Sequence, residues 1–417
     1  MKISSESSLS WVFLSDTDVS EARKIMRELG SDSTIDTLKI GGPLEVVSDL
    51  FFPGTSTLHT AFRYVFFVPA ILFAMKKRGG VADARAFLKK KENELIFALE
   101  KGGEEEGVIG RLRHERLHYW PSMTYWTAFN KFRLFGELNG ERTEILDTLT
   151  HIPGDRIVSD DGDIQETPED DLDFDAEFEP IAESIFNSKT MKWPANGMTF
   201  ALRRYEAKFI KDRIHRYFSE SLYTDLFTLP IRQIANYESI FNVRSKDPKT
   251  NDVIKQSENY SLLAMGITLA YRWVLCKNRK WDDAQKIHLG HCQRWVNRNA
   301  VALRQWSVDD LRNAANNKSA STAWGSWYKE LKSFTDDCRK ILCGTESLGY
   351  KLNKLEPMLI GKEWKTKGNQ SRFIDTTIRI PENIMSPTED TIEKYLFDYR
   401  WPQGQRNTLA ILRGLNT

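Results

Sequence analysis

Apolar residues recur at helical spacing over long stretches of this chain, and that periodicity constrains the fold more than any other sequence feature. In residues 199–218 the apolar positions lie three or four residues apart, and cationic residues fill many of the positions between them. Helical stretches are likewise predicted over residues 81–101 and 284–306, and residues 260–277, which are apolar on most sides, predict a core helix. Ser307 is placed to cap a further helix. The sequence therefore predicts a mainly α protein.

The longest apolar run covers residues 65–75 and is interrupted by Pro69. A helix that spans a bilayer needs about 20 apolar residues, roughly twice the length of this run. The run therefore predicts a buried helix, or a helix preceded by a strand. We expect no membrane role for it.

Composition limits the class of protein. Of the 417 residues, 41% are hydrophobic and 28% are charged, so cores can form without metals or disulfides. The length suits two domains. The four cysteines are too few for a secreted disulfide framework, and the polar N-terminus lacks an apolar signal core. These features predict a reducing, cytoplasmic compartment.

Charge is divided unevenly along the chain. Residues 200–417 hold 36 Lys and Arg against 24 Asp and Glu, whereas residues 1–199 hold 23 against 34. Halves of opposite sign indicate either domains that complement each other or a basic half that binds an anionic partner. The charge division alone leaves both interpretations open.

An acidic run marks the clearest boundary. Twelve of the 25 residues in 155–179 are Asp or Glu, and such a run is expected to stay in solvent as a linker or loop. An intramolecular mimic of nucleic acid, lying on the basic half, is the functional alternative. We therefore predict two helical domains joined by an acidic linker: an N-terminal helical domain over 1–150, the linker or loop over 151–190, and a basic, tryptophan-rich domain over 191–417.

Catalytic motifs are not recognisable in the sequence. A phosphate-binding loop needs glycines at fixed spacing before a helix and a lysine directly after them, and none of the glycine pairs continues in that way. The Gly-x-Ser-x-Gly elbow of serine hydrolases is also missing. We therefore predict no catalytic residues and no cofactor, although an enzyme without these motifs stays possible.

The nearest approach to a metal site is formed by Cys276, His288, His291 and Cys292. His291 and Cys292 are adjacent, and adjacent side chains on a helix point about 100° apart. Four ligands could therefore converge only if the helix were broken. We predict no metal site and interpret these residues as buried thiols and hydrogen-bonded histidines.

Six of the 12 tryptophans lie among arginines and lysines between residues 272 and 327. Aromatic faces stack on unpaired bases and cations bind phosphates, so the mixture suits single-stranded or distorted nucleic acid. The simpler interpretation is that the tryptophans fill a helical core while the cations lie outside it. The candidate nucleic-acid contacts are Arg203, Arg204, Lys208, Arg294, Trp295 and Arg298.

A turn motif stands out in the N-terminal half. Pro53 and Gly54 set a turn, and the hydroxyl residues at 55–57 are expected to cap a following helix that includes His59 and Arg63. A helix start beside an arginine could hold a phosphate. The alternative is a capped turn that locks two core elements together.

The chain resembles an uncharacterised bacterial family of about its own length, a domain-of-unknown-function group. The likeness is dense over residues 1–130, weak through the middle, and returns near the C-terminus in Phe397-Asp398-Tyr399-Arg400-Trp401. We call the residues that carry it most clearly the signature residues. They are Pro53, Gly54, Thr55, Ser56, Thr57, Arg63, Tyr125, Trp126, Arg400 and Trp401.

The resemblance implies a role in antiviral defence. Members of the family are encoded in bacterial defence islands beside helicases and methylases, so the likeness implies an accessory part in a multi-gene anti-phage system, with the Druantia type as the candidate. It carries over no catalytic residue. The expected function is a non-catalytic subunit that binds nucleic acid or a nucleic-acid-processing partner. The alternatives are a scaffold that docks a helicase or methylase through Trp324 and Trp327 without DNA contact, and a cryptic metal-dependent nuclease.

Overall fold

The computed structural model describes residues 37–112, 114, 117, 119–135, 141–150, 174–320, 322–378, 380–388 and 396–417. Within these residues the chain forms sixteen α-helices and two short 3-10 helices, and the only β-type pairings are two isolated bridges. The predicted mainly α class is confirmed. Residues 151–173 of the predicted acidic linker lie outside the described residues.

The described residues form two compact units. We call residues 51–238 and 400–417 the signature unit, and residues 37–50 and 239–399 the long-helix unit. The chain passes from one unit to the other at 50/51, 238/239 and 399/400. These divisions differ from the predicted ones, because residues 191–238 group with the preceding part of the chain and residues 400–417 return to it.

The signature unit holds helices α2 to α9 and α16. Their bounds are α2 Tyr64–Lys77, α3 Ala84–Lys101, α4 Pro121–Lys131, α5 Arg142–Thr148, α6 Glu179–Ile185, α7 Arg204–Tyr217, α8 Leu222–Leu226, α9 Ile231–Ala235 and α16 Trp401–Leu415. The chain enters this unit at the end of α1, Gly42–Phe51.

Helix α2 is the centre of the signature unit. Every residue from Tyr64 to Met75 is buried, as expected of a helix that is apolar on all sides. It packs against α4 and α6. No helix in the described part of the chain is long and apolar enough to cross a membrane.

The second half of the predicted linker is folded. Phe174, Phe178 and Phe186 are buried, and α6 turns Ile181 and Ile185 into the core of the signature unit. The acidic residues of this stretch lie mostly on the surface while its phenylalanines and isoleucines pack inward. For residues 174–190 the linker prediction is therefore wrong, because apolar residues recur between the acidic ones.

Helix α7 joins this core through one face. Phe209, Ile210 and Ile214 are buried, and α16 packs along the same side, where Gly414 lies against Leu202 and Ala207. A β-carbon at Gly414 would come within 2.9 Å of both residues, so the close approach of the two segments requires glycine.

The long-helix unit holds helices α10 to α15. Their bounds are α10 Pro248–Arg279, α11 Asp282–Leu303, α12 Val308–Lys318, α13 Tyr328–Leu342, α14 Leu348–Lys367 and α15 Glu382–Met385. The 32-residue α10 begins after the N-cap Asp247, whose side chain accepts a hydrogen bond from the Lys249 N–H, and it ends where Lys280 turns left-handed with φ of 58°. Ser307 caps α12, as predicted.

Candidate functional site

The signature turn is built around a glycine that cannot be replaced freely. Gly54 has φ of 73°, and a β-carbon there would lie 3.2 Å from the Phe132 ring. The turn continues to Arg63, and α2 begins only at Tyr64 without a side-chain cap. The predicted helix that would include His59 and Arg63 is therefore not formed, and the alternative of a turn packed between core elements describes this segment.

His59 is a buried, neutral member of this turn. Its ring stacks on Tyr125 with centroids 4.0 Å apart and planes 5° apart. The Ser56 N–H donates to Nδ1 at 3.3 Å, so Nε2 carries the proton and donates to the Thr124 carbonyl at 3.1 Å. Burial, opposed in part by the Thr124 hydrogen bond, lowers the His59 pKa to about 3.

The depressed pKa of His59 predicts a pH-dependent stability. In the unfolded chain the imidazole takes up a proton near its ordinary value of 6.5, whereas in the folded chain it stays neutral down to about 3. Protonation of the unfolded chain therefore lowers the free energy of unfolding as the pH falls from 6.5 toward 3, by up to about 1.4 kcal/mol per pH unit. Above pH 6.5 this loss is absent. His59→Phe keeps a ring against Tyr125. It is expected to reduce the slope of the free energy of urea unfolding against pH by about 1.4 kcal/mol per pH unit between pH 6 and 4. Thr57→Ala in the same turn is the control, and an unchanged slope in His59→Phe would contradict the assignment.

Tyr125 ties the turn to α4. Its hydroxyl accepts from the Thr60 N–H at 2.9 Å and donates to the Ala61 carbonyl at 2.8 Å. The neighbouring Trp126 is buried, with its ring centroid 5.4 Å from that of Phe135. Both signature aromatics therefore stabilise the core.

Arg63 is bound within the protein. Its guanidinium donates to both carboxylate oxygens of Glu206 at 2.6 and 3.0 Å and to the Thr199 carbonyl at 2.7 Å. Arg63 is 3% exposed and Glu206 is fully buried. The arginine is thus already neutralised and enclosed, and the phosphate site proposed from the sequence at this helix start is not present.

The C-terminal signature residues close the other side of the turn. Arg400 donates to the Thr55 carbonyl at 2.7 Å, and Gln403 donates to the Thr57 carbonyl at 3.0 Å. The Trp401 ring lies 6.1 Å from that of Phe52. Tyr125, Arg400 and Trp401 therefore meet the signature turn from positions up to 348 residues away in the sequence.

The predicted nucleic-acid contacts fall into two sets on different units. Arg203, Arg204 and Lys208 are exposed at the start of α7 in the signature unit. Arg294, Trp295 and Arg298 lie on α11 in the long-helix unit, where Arg298 is exposed and Arg294 is partly buried. All three cations of the α7 set thus lie on the surface, whereas the residues of the α11 set differ in exposure.

Trp295 belongs to the core. Only 1% of its surface is exposed, its Nε1–H donates to the Leu262 carbonyl at 2.8 Å, and its indole lies against Gly266. A side chain enclosed in this way has no free face for a base. Trp273 and Trp306 are also buried, which agrees with the simpler interpretation of the tryptophan-rich region.

Trp324 and Trp327, the candidate scaffold contacts, are partly exposed. Their rings lie 6.0 Å apart, and the Trp324 Nε1–H donates to Asn316 Oδ1 at 3.2 Å. The Trp327 ring covers Gly42, where a β-carbon would come within 2.6 Å of it. At least Trp327 therefore serves the packing of the long-helix unit.

The four candidate metal ligands are buried, and His288, His291 and Cys276 contact protein carbonyls. His288 Nε2 lies 3.1 Å from the Ile384 carbonyl oxygen, and His291 Nε2 lies 3.1 Å from that of Thr388. Burial raises the pKa of Cys276 to about 11 and that of Cys292 to about 12. In the described ranges, no group of three or more His, Cys, Asp or Glu side chains is placed to hold a metal ion.

The outer face of α7 carries three cations at helical spacing. Arg204, Lys208 and Lys211 follow one another at spacings of four and three residues, so they share one face of the helix. We call these three residues the α7 basic face. Arg204 and Lys208 are exposed and Lys211 is partly exposed, with its ammonium 5.8 Å from the Phe227 ring.

One of the two acids of α7 lies away from this face, and the other lies beside it, four residues after Lys208. The helix contains two carboxylates: Glu206 is buried against Arg63, and Asp212 lies beside the groove between α6 and α7. Within the described part of the chain, none of the three cations of the α7 basic face forms an ion pair. Arg204 and Lys208 are among the contacts predicted from the sequence, whereas Lys211 is not, although its helical spacing relative to the other two is visible there.

The described residues thus define a helical protein of two units, one of which gathers the signature residues. Residues 6–150 match the model of DUF6361, a family of unknown function, so an uncharacterised domain family covers this part of the chain. No curated protein and no solved structure matches the chain. The matched range ends at residue 150, whereas the described core of the signature unit also includes Glu206 and Arg400, so residues beyond the match complete this core.

Proposed function

We propose that this protein is a non-catalytic nucleic-acid-binding component and that the α7 basic face contacts the phosphate backbone. The observation that carries the proposal is the arrangement of charge on α7. The helix directs its one buried carboxylate to Arg63 and presents Arg204, Lys208 and Lys211 on the opposite side.

Such a surface suits phosphates for a physical reason. Neighbouring cations on one helical face have Cβ atoms about 5–6 Å apart, so their fields add, and binding a polyanion releases the counterions condensed on it. Contacts of this kind read no sequence. The proposal is therefore for backbone binding of nucleic acid without base specificity from the α7 basic face itself.

The proposal also includes the biological setting in which the protein acts. The likeness to a family encoded in bacterial defence islands supports an accessory role in a multi-gene anti-phage system, of the Druantia type, in the cytoplasm. A helicase or methylase of the same system is the expected protein partner. The match of residues 6–150 to DUF6361 identifies an uncharacterised domain family, and the anti-phage context rests on the resemblance alone.

Neutralising the α7 basic face is expected to weaken binding to any nucleic acid. In the variant Arg204→Gln/Lys208→Gln/Lys211→Gln, each lost phosphate contact lowers the slope of log K against log salt by about 0.7–0.9, so the triple variant is expected to lower it by about 2–3. The measurement is fluorescence anisotropy with labelled DNA over a range of salt concentrations. In a defence assay, the same variant is expected to lose protection against phage.

A matched control removes the same charge elsewhere. Lys90, Lys101 and Lys131 are exposed on α3 and α4 of the same unit. Replacing these three with glutamine also removes three positive charges but leaves α7 intact, and the salt slope is expected to stay within about one unit of the original. Equal losses in both variants, or no binding by the original protein at low salt, would rule out the α7 basic face as the contact.

A further inference from the structure

A groove runs beside the α7 basic face, between α6 and α7. It has a volume of about 490 Å³ and is open to solvent. Ligand pockets span about 300–1,000 Å³, so this groove is large enough for a small planar group. Lys208 contributes to both the groove and the α7 basic face, so the two surfaces are continuous.

The floor and one wall of the groove are apolar or aromatic. Ile181 and Phe209, 4% and 7% exposed, belong to the floor and rest on the core of the signature unit. The wall includes Tyr205, which keeps 42% of its surface exposed. A flat aromatic group could lie against this wall and displace water from both surfaces.

The Tyr205 ring is held in place. Its hydroxyl lies 2.8 Å from Ser184 Oγ and accepts a hydrogen bond from the Arg203 guanidinium at 2.7 Å. The same guanidinium lies 6.0 Å from the centroid of the ring. Because the ring is already fixed in the free protein, a ligand that stacks on it loses less free energy to side-chain ordering.

The rim carries hydrogen-bond acceptors. The Asp212 and Glu177 carboxylates border the groove, and Glu177 also lies 3.7 Å from the Arg213 guanidinium. Carboxylates accept hydrogen bonds from exocyclic amino groups, such as the amino group of cytosine. The groove thus combines an aromatic wall with acceptors at its edge and cations alongside.

We propose that the groove takes an unpaired nucleobase of a single strand whose phosphates lie on the α7 basic face. This inference rests on the proposed function and adds the form of nucleic acid that is preferred. In a duplex the bases are stacked and paired, so none is free to enter. A single strand can stack a base on Tyr205 while Lys208 holds the adjoining phosphate.

Tyr205→Ala tests the inference. With fluorescently labelled single-stranded oligo-dC, the loss of a stacking partner is expected to weaken binding about 5- to 100-fold, while binding to a duplex of equal length stays unchanged. Tyr205→Phe keeps the ring and is expected to retain most of the affinity. Tyr350→Ala is the matched control, because Tyr350 is 53% exposed and has a cation near its ring, as Tyr205 has, but lies on α14.

The outcomes separate this inference from the proposed function. If the α7 triple substitution weakens binding but Tyr205→Ala leaves single-strand affinity unchanged, the base site is overturned and backbone binding stands. If the unaltered protein binds neither single strands nor duplexes at low salt, both are overturned. Tighter binding of oligo-dC than of oligo-dT is expected from the rim carboxylates, and equal affinity for the two would overturn their role. Unchanged circular dichroism shows that each variant is folded.

Discussion

Glu206→Ala is expected to lower the free energy of unfolding of the signature unit by about 3–5 kcal/mol. The substitution leaves the Arg63 guanidinium buried at 3% exposure with the Thr199 carbonyl as its remaining acceptor. A charge enclosed without its counter-charge cannot recover its hydration, and that penalty exceeds the loss of the hydrogen bonds themselves. Urea unfolding followed by circular dichroism measures the change.

The size of this effect depends on burial, so an exposed pair provides the control. Asp147→Ala breaks the Arg85–Asp147 ion pair, whose side chains are 50% and 62% exposed, and is expected to cost no more than about 1 kcal/mol. The double variant Arg63→Met/Glu206→Leu removes both charges and is expected to recover much of the stability lost in Glu206→Ala. If Glu206→Ala costs no more than the control, the pair does not stabilise the fold.

This ion pair also explains what sequence reasoning could not find. Helical periodicity is a local property, so it located α3, α7 and α11 to within a few residues and led to the correct fold class. The contact between Arg63 and Glu206 joins positions 143 residues apart, and no pattern within a window of sequence reports it. For the same reason the predicted boundary at residue 150 separates residues that share one core.

The signature turn shows a second limit of predicting structure from local sequence. Hydroxyl residues after Pro-Gly are a common way to start a helix, and that rule predicted a cap at 55–57. In the structure the Thr55 side chain bonds to the Tyr223 hydroxyl at 2.7 Å, and its carbonyl accepts from Arg400. Tertiary partners from later in the chain thus take the groups that would otherwise cap a helix.

The candidate site was predicted in part. Arg204 and Lys208 were identified from their place on an amphipathic helix, and both are exposed there. The groove beside them was not predicted, because half of its lining comes from residues 177–184, which the acidic composition had assigned to a linker. The acidic composition is an average over the segment. Phe178 and Ile181 are buried there, and this burial of apolar side chains holds the segment in the fold.

Trp295→Ala is expected to destabilise the long-helix unit by about 3–5 kcal/mol without a direct effect on nucleic-acid binding. The indole fills the space opposite Gly266, where a β-carbon would come within 2.6 Å of the ring, so α10 and α11 are fitted to each other at this point. Truncation leaves a cavity and removes the hydrogen bond that the Leu262 carbonyl accepts from the indole at 2.8 Å.

Trp364→Ala is the matched control, because Trp364 lies on α14 in the same unit and is 57% exposed. That substitution is expected to change stability by no more than about 0.5 kcal/mol. Measuring unfolding and oligonucleotide binding on both variants distinguishes the two interpretations of the tryptophan-rich region. A Trp295→Ala protein that is as stable as the original but no longer binds single strands would show that Trp295 contacts bases. Loss of stability, with affinity preserved at temperatures where the variant is folded, would place Trp295 in the core and leave α7 as the binding surface.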